Sequence, residues 1–179
     1  MLSEVSRDTT DDPFSDLWEA NDRFAAAFAH HDLSGVAARD LTVVTCMDTR
    51  IDPLAVLGLS PGDAKIIRTA GARATDELLR SVVLAVHLLG GGRVLLMPHT
   101  RCGLVGTDSE VRAKVAAATG RQVTDPAIAS FEPRAIPDQA DMVRRDAARI
   151  RSHPLLGPSV TVGAALYDVD TGRLSPIAL

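Results

Sequence analysis

The sequence predicts an α/β fold: a mostly parallel central β-sheet flanked by helices, with an extended helix at the N-terminus. Three observations predict it. Short apolar runs rich in β-branched residues stand at Leu41–Thr45, Ala64–Arg68 and Arg93–Met97, as expected of buried strands. Between them lie segments with helical periodicity, and cap or turn residues mark each boundary. Strands that alternate with helices pair in parallel through right-handed crossovers.

Each element follows from local chemistry. Residues 1–12 carry Glu4, Asp8, Asp11 and Asp12 with no apolar stretch, so a flexible polar tail is expected. Pro13–His31 is predicted to be a helix, since Phe14, Leu17, Trp18, Asn21, Phe24, Ala25 and Phe28 recur at helical spacing. That helix holds three of the four phenylalanines and the only tryptophan. Such a surface needs cover, from the chain's own core or across a dimer interface. His30 and His31 are expected to close it, where a cation suits the dipole. After the first strand, Asp52-Pro53 opens a helical turn that Gly58 ends. Ser60-Pro61-Gly62-Asp63 is a loop before the second strand. Thr75 or Asp76 caps a strongly periodic helix, and Gly90-Gly91-Gly92 stops it. Thr107-Asp108-Ser109-Glu110 is a capping box for a helix to about Thr119. Gln122–Pro137, with three prolines, is assigned no regular element. Asp138–Ser152 is a helix, Ser159–Tyr167 a final strand, and Asp170-Thr171-Gly172 a hairpin turn or exit loop. Residues 13–179 are thus expected to form one domain.

Composition narrows the function classes. Hydrophobic content of 46% and charged content of 23% suit a soluble globular protein. A net charge of −4 with no basic stripe argues against a nucleic-acid partner. The longest apolar stretch, Ser81–Leu89, is too short to span a bilayer, so no membrane partner is expected. The N-terminus lacks the apolar core of a secretory leader, which places the expectation in the cytoplasm.

A reducing cytoplasm keeps thiols free for metal. The chain has two cysteines, and both sit just after predicted strands. Cys46 lies in Thr45-Cys46-Met47-Asp48-Thr49-Arg50, and Cys102 in His99-Thr100-Arg101-Cys102-Gly103. In an open α/β sheet, strand carboxyl ends are where ligands bind. Two thiolates and an imidazole from Cys46, Cys102 and His99 make a three-ligand zinc site with a free fourth position, the arrangement of catalytic centres. The competing readings are a disulfide, or one buried cysteine, one reactive cysteine and a loop histidine. Asp48 and Arg50 stand two apart and can face the same side, so Arg50 can hold the carboxylate ionised. A plain salt bridge that shapes the loop remains the alternative. Gly71 and Gly103 permit close backbone approach or serve turns. Ile51, Leu104 and Val105 are candidate lining residues, with core packing as the alternative for each. His30, His31, His87 and His153 offer no pattern that nominates a proton shuttle. The Gly90–Gly92 run precedes a strand and lacks Gly-Lys-Ser/Thr, so it is no phosphate-binding loop.

Cys46-x-Asp48-x-Arg50, then Arg68-Thr69-Ala70-Gly71, then His99-x-x-Cys102 resembles, in order and spacing, the β-class carbonic anhydrases. The resemblance runs from about Leu41 to Gly103 and resumes weakly in Val160–Asp168. It implies a β-carbonic-anhydrase-like fold, zinc on Cys46, His99 and Cys102, and reversible hydration of carbon dioxide to bicarbonate. Asp48 and Arg50 are the implied catalytic pair. Across the family Asp48 is implied in two states: free of Arg50 as a fourth zinc ligand, or paired with it as acceptor for the reacting water. The N-terminal helix is implied to embrace a partner subunit, giving a homodimer or higher oligomer. Relatives on the same fold hydrolyse carbonyl sulfide or carbon disulfide, and the motifs do not separate these substrates. A non-catalytic zinc protein with Asp48 permanently on the metal is the rival from another class, and a redox-active dithiol a further one. One departure stands out: Thr69 replaces the family's usual asparagine, keeping a hydroxyl but losing an amide.

Overall fold

The computed structural model describes residues 12–179, so residues 1–11 of the expected tail lie outside the described residues. The chain divides into two compact units, one ending at Leu33 and one spanning Ser34–Leu179.

The first unit is built on α1 (Ser15–Ala26), shorter than the predicted Pro13–His31. Asp12 acts at its start, accepting from Phe14 N at 2.8 Å and Trp18 Nε1 at 2.6 Å. At its end Ala27 and Phe28 donate to Phe24 and Ala25, the i→i−3 bonds of a tightening last turn. A short helix with no buried residue has little beyond its own hydrogen bonds to extend it. His30 and His31 therefore lie beyond the helix end, and Arg23 is the basic residue of the last turn. Aromatic rings pair along the segment, Phe14 with Trp18 at 6.4 Å and Phe24 with Phe28 at 5.6 Å. Phe14, Leu17, Trp18, Phe24 and Phe28 are all exposed.

The second unit carries five strands: β1 (Leu41–Cys46), β2 (Ala64–Thr69), β3 (Arg93–Met97), β4 (Thr161–Tyr167) and β5 (Leu174–Pro176). Their order is β2-β1-β3-β4-β5, parallel through β4, with β5 antiparallel to β4. Val44 of β1 stands opposite Ile67 of β2 on one side and Leu96 of β3 on the other. Because side chains alternate along a strand, Val43 and Val44 feed different apolar clusters. Val44 packs with Leu78, Val82, Leu96 and Ile150, whereas Val43 packs with Ile51, Met97 and Tyr167. The polar residues of β1 are satisfied inside: Thr42 Oγ1 donates to Gly91 O at 3.0 Å and Thr45 Oγ1 to Met97 O at 2.7 Å.

The helices of this unit are α2 (Pro53–Leu57), α3 (Asp76–Leu88), α4 (Asp108–Thr119), α5 (Pro126–Ala129) and α6 (Gln139–Arg151). Asp52, Thr75, Thr107 and Asp138 cap four of them through side-chain oxygens, and Thr107 and Glu110 complete the capping box. Helix α5 corrects the assignment of Gln122–Pro137 as irregular. Asp125 caps it and Pro126 occupies the first helical position, the same Asp-Pro signal as at Asp52-Pro53. One turn is too short to register as a periodicity. Strand β5 is a further addition: Gly172, at φ 72°, donates to Asp168 O and closes the hairpin that brings β5 back along β4.

This topology has one consequence for the site. From β1 the chain crosses to β2 on one side, then returns to β3 on the other. The carboxyl ends of β1 and β3 therefore meet where the strand order reverses, the place in an open parallel sheet where a crevice forms.

Candidate metal centre

Cys46 is the last residue of β1, and the chain turns immediately after it. Asp48 Oδ1 accepts from Arg50 N at 3.0 Å, an Asx turn, and Ile51 N donates to Asp48 O at 3.2 Å. Asp52 then caps α2. The Asx turn brings the Arg50 side chain back onto its neighbour: Nε reaches Asp48 Oδ1 and Nη2 reaches Oδ2, both at 2.8 Å. This bidentate pair holds the Asp48 carboxyl well below the usual carboxylate range, chiefly through the Arg50 side-chain bonds. Arg50 Nη2 also donates to Arg101 O at 3.2 Å.

The other two ligand candidates follow β3. His99 is almost wholly buried and bridges to Tyr167 at the end of β4. Its Nδ1 lies 2.9 Å from Thr100 O. A carbonyl only accepts, so Nδ1 carries the proton and Nε2 presents a lone pair. That Nε2 is buried and has no hydrogen-bond partner. Arg101, at φ 55°, turns the chain sharply between His99 and Cys102.

The ligand atoms of Cys46, His99 and Cys102 lie within 4.8 Å of one another, and all three residues are buried. An orphaned buried nitrogen costs about 1–3 kcal/mol unless something satisfies it. A lone pair aimed at two thiols is what a soft, tetrahedral cation such as zinc requires, so the residues present fit the metal. Without metal the two thiols share a proton unequally. The hydrogen bond from the neighbouring Cys102 thiol pulls Cys46 down, while that bond to Cys46 and burial push Cys102 up. Both cysteines are free thiols.

Asp48 Oδ2 stands 3.9 Å from His99 Nε2, beside the cluster but turned toward Arg50. A cleft of about 320 Å³ opens there, lined by Cys46, Asp48, Cys102 and the apolar groups of Met47, Ala70 and Leu104. Of the predicted wall residues only Leu104 lines it: Ile51 is buried in the core and Val105 is half exposed on the surface. The glycines divide as well. Gly71 sits at φ 68°, donates to Cys46 Sγ at 3.3 Å, and an added Cβ would meet Ile136 and Leu104 at 3.0 Å. A Cβ added at Gly103 would meet nothing within 4 Å, so close approach does not explain it.

Two contributors escaped the sequence reading. Arg68 donates from Nε to Cys46 O at 3.0 Å and from Nη2 to Asp48 O at 2.6 Å, which ties the end of β2 to the turn after β1. The motif Arg68-Thr69-Ala70-Gly71 was the available signal. Thr100 O accepts the hydrogen bond from His99 Nδ1, and the Thr100 hydroxyl accepts from Val169 N at 3.1 Å. No residue pattern marked it. Thr69 Oγ1 is buried without a partner.

The chain is similar to known proteins. A family model described as carbonic anhydrase matches residues 41–174. The chain is 31% identical over 141 residues to β-carbonic anhydrase 1 of Mycobacterium tuberculosis, covering 78% of this chain and 83% of that one. It is 30% identical over 155 residues to a carbon disulfide hydrolase of Saccharolobus solfataricus, covering 76% of each. The solved carbonic anhydrase of Streptococcus mutans has a TM-score of 0.83 and 30% identity, covering 93% of this chain and 98% of that one.

Proposed function

The chain belongs to the β-carbonic anhydrase family, and on that premise we propose that it is a zinc enzyme that reversibly hydrates carbon dioxide to bicarbonate and a proton. The observation that carries the reading is the position of Asp48. Its carboxylate stands 3.9 Å from His99 Nε2 yet is engaged on both oxygens by Arg50, which leaves the fourth ligand position to the cleft. That favours an open, catalytic centre over a closed structural one.

Cys46 Sγ, His99 Nε2 and Cys102 Sγ would hold the metal. Bound zinc supplies Lewis acidity that lowers the pKa of water from about 15.7 toward roughly 7. The chain's own residues supply the rest. Arg50 keeps Asp48 ionised and off the ligand position. Asp48 Oδ2 accepts the hydrogen bond that orients the attacking oxygen. Met47, Ala70 and Leu104 give the small apolar substrate an apolar wall. Gly71 N–H and Arg68 hold Cys46 from its sulfur and its carbonyl.

The same cleft suits carbonyl sulfide and carbon disulfide, and carbon disulfide hydrolases are among the relatives. The proposal extends to a homodimer or higher oligomer, supported by the exposed aromatic face of α1. It also extends to a reducing, cytoplasmic setting, because ligation needs free thiols. Stopped-flow hydration by the zinc-loaded protein, with sulfide release from carbonyl sulfide and carbon disulfide measured in parallel, tests the assignment. Carbon dioxide is expected to be the faster substrate. Sulfide release without hydration would move the assignment to a hydrolase, and no turnover of any of the three would leave a non-catalytic zinc protein.

A further inference from the structure

Gln139, the first residue of α6, lies outside every motif in the sequence. Its Nε2 donates to His99 O at 2.6 Å. On the other side of the same peptide group, Thr100 N donates to Tyr167 O at 2.9 Å. The peptide joining His99 to Thr100 is thus pinned at both polar ends, one by α6 and one by β4. The imidazole depends on this stretch of main chain, because Nδ1 bonds Thr100 O at 2.9 Å, and that bond aims Nε2 at the two sulfurs. We infer that Gln139 is a positioning residue that holds His99 Nε2 on the metal-ligand point by fixing the 99–100 peptide.

The segment leading into α6 braces the other end of the same loop. Ile136 N donates to Leu104 O at 2.8 Å, and Gly106 N donates to Ile136 O at 3.1 Å, just past Cys102. Helix α6 does not need the Gln139 contact to stay folded. Asp138 caps it by accepting from Asp141 N at 2.7 Å, and Val143, Ala147 and Ile150 anchor it in the core. The amide of Gln139 is therefore free to act on the loop. Partners one layer behind a metal ligand fix its orientation, and losing one costs about 10- to 100-fold in metal affinity.

The inference rests on Cys46, His99 and Cys102 being metal ligands, and the test separates the two claims. Zinc affinity, the absorption spectrum of the Co²⁺-loaded protein and the melting temperature of the metal-free protein are measured for wild type, Gln139→Leu and Gln139→Glu. Glutamate matches glutamine in size, but its carboxylate has no proton to donate. Both variants are expected to bind zinc roughly 10- to 100-fold more weakly and to shift the cobalt bands. The metal-free melting temperature should be largely retained in the glutamate variant. Wild-type affinity or an unshifted cobalt spectrum in Gln139→Glu overturns the positioning role, whatever its melting temperature. A wild type that takes up neither metal overturns the ligand assignment, and the role of Gln139 with it.

Discussion

Asp48 and Arg50 act as one unit, and their bidentate geometry makes the consequences of separating them directional. Arg50→Ala releases a carboxylate that stands 3.9 Å from His99 Nε2 and lets it take the open ligand position. Hydration should fall by roughly 10- to 100-fold while zinc is retained. Asp48→Ala keeps the position open but loses the acceptor, so its defect should be smaller. The double variant should lose less than the two singles combined, since coupled residues are not additive. Stopped-flow rates for the four proteins decide this, and wild-type rates in Arg50→Ala would reject the dyad. The pH sign follows from the depressed Asp48 carboxyl. A depressed carboxyl contributes stability that is complete above the unfolded value of about 3.9 and is lost only as pH falls through the folded value. The pair should thus persist from pH 6 to 9, and any pH dependence of hydration there has another source. Gly71→Ala tests the backbone beside Cys46. A left-handed alanine meeting Ile136 and Leu104 at 3.0 Å should destabilise the fold by about 1–3 kcal/mol and weaken zinc binding. Denaturant titration and zinc competition measure the two effects, and an unaffected variant would show that the turn is not constrained.

Among the helices numbered above, α1 differs from the rest in having no buried residue, and it and its flanks expose Phe14, Leu17, Trp18, Phe24 and Phe28. Apolar surface left in water costs about 25 cal/mol per Å² that burial would recover. Exposed aromatic side chains in such number suit the association surface proposed above. Deleting residues 1–31 should lower the oligomeric mass in sedimentation or light scattering, with the sheet unit still folded. An unchanged, well-folded oligomer would remove α1 from the interface. The loops after β1 and β3 are held differently, one by a side chain and one by the main chain of a neighbouring strand. Arg68 of β2 supports the turn after Cys46, and Tyr167 of β4 supports the His99 loop.

For the whole molecule, metal binding, protonation and stability are one coupled equilibrium. Ligation requires both thiolates and a neutral imidazole. In the metal-free chain Cys102 is pushed up beside Cys46 and holds its proton at neutral pH. Zinc uptake must then release protons, so the apparent affinity should rise as pH goes from about 6 to 8. Chelator competition across that window measures the slope, and a flat profile would argue against thiolate ligation. Removing zinc should also lower the melting temperature. Saturation at a hundred times the dissociation constant stabilises a folded state by about 2.7 kcal/mol.

The legible features were the local ones. Asp52-Pro53, Thr75, Thr107–Glu110 and Asp138 announce helix starts because a cap is satisfied by residues two or three positions away. β1, β2 and β3 are legible because apolar, β-branched runs have few other places to go. The ligand candidates were legible because strand ends carry function and thiols beside a histidine suit few tasks. What stayed hidden depends on chain distant in sequence. The donors on Cys46 O, on Cys46 Sγ and on His99 O come from Arg68, Gly71 and Gln139, and no spacing rule links them to their acceptors. Gly71 and Gly103 read alike in the sequence, yet only Gly71 is crowded, by side chains 33 and 65 positions away at Leu104 and Ile136. Local rules are set by covalent spacing, and so the sequence by itself determined the elements and nominated the ligands. The second set of contacts, which aims those ligands beside the Asp48–Arg50 turn and leaves a cleft open there, exists only once β2, β1 and β3 lie side by side. Tertiary packing decided it, because those partners meet only through the fold.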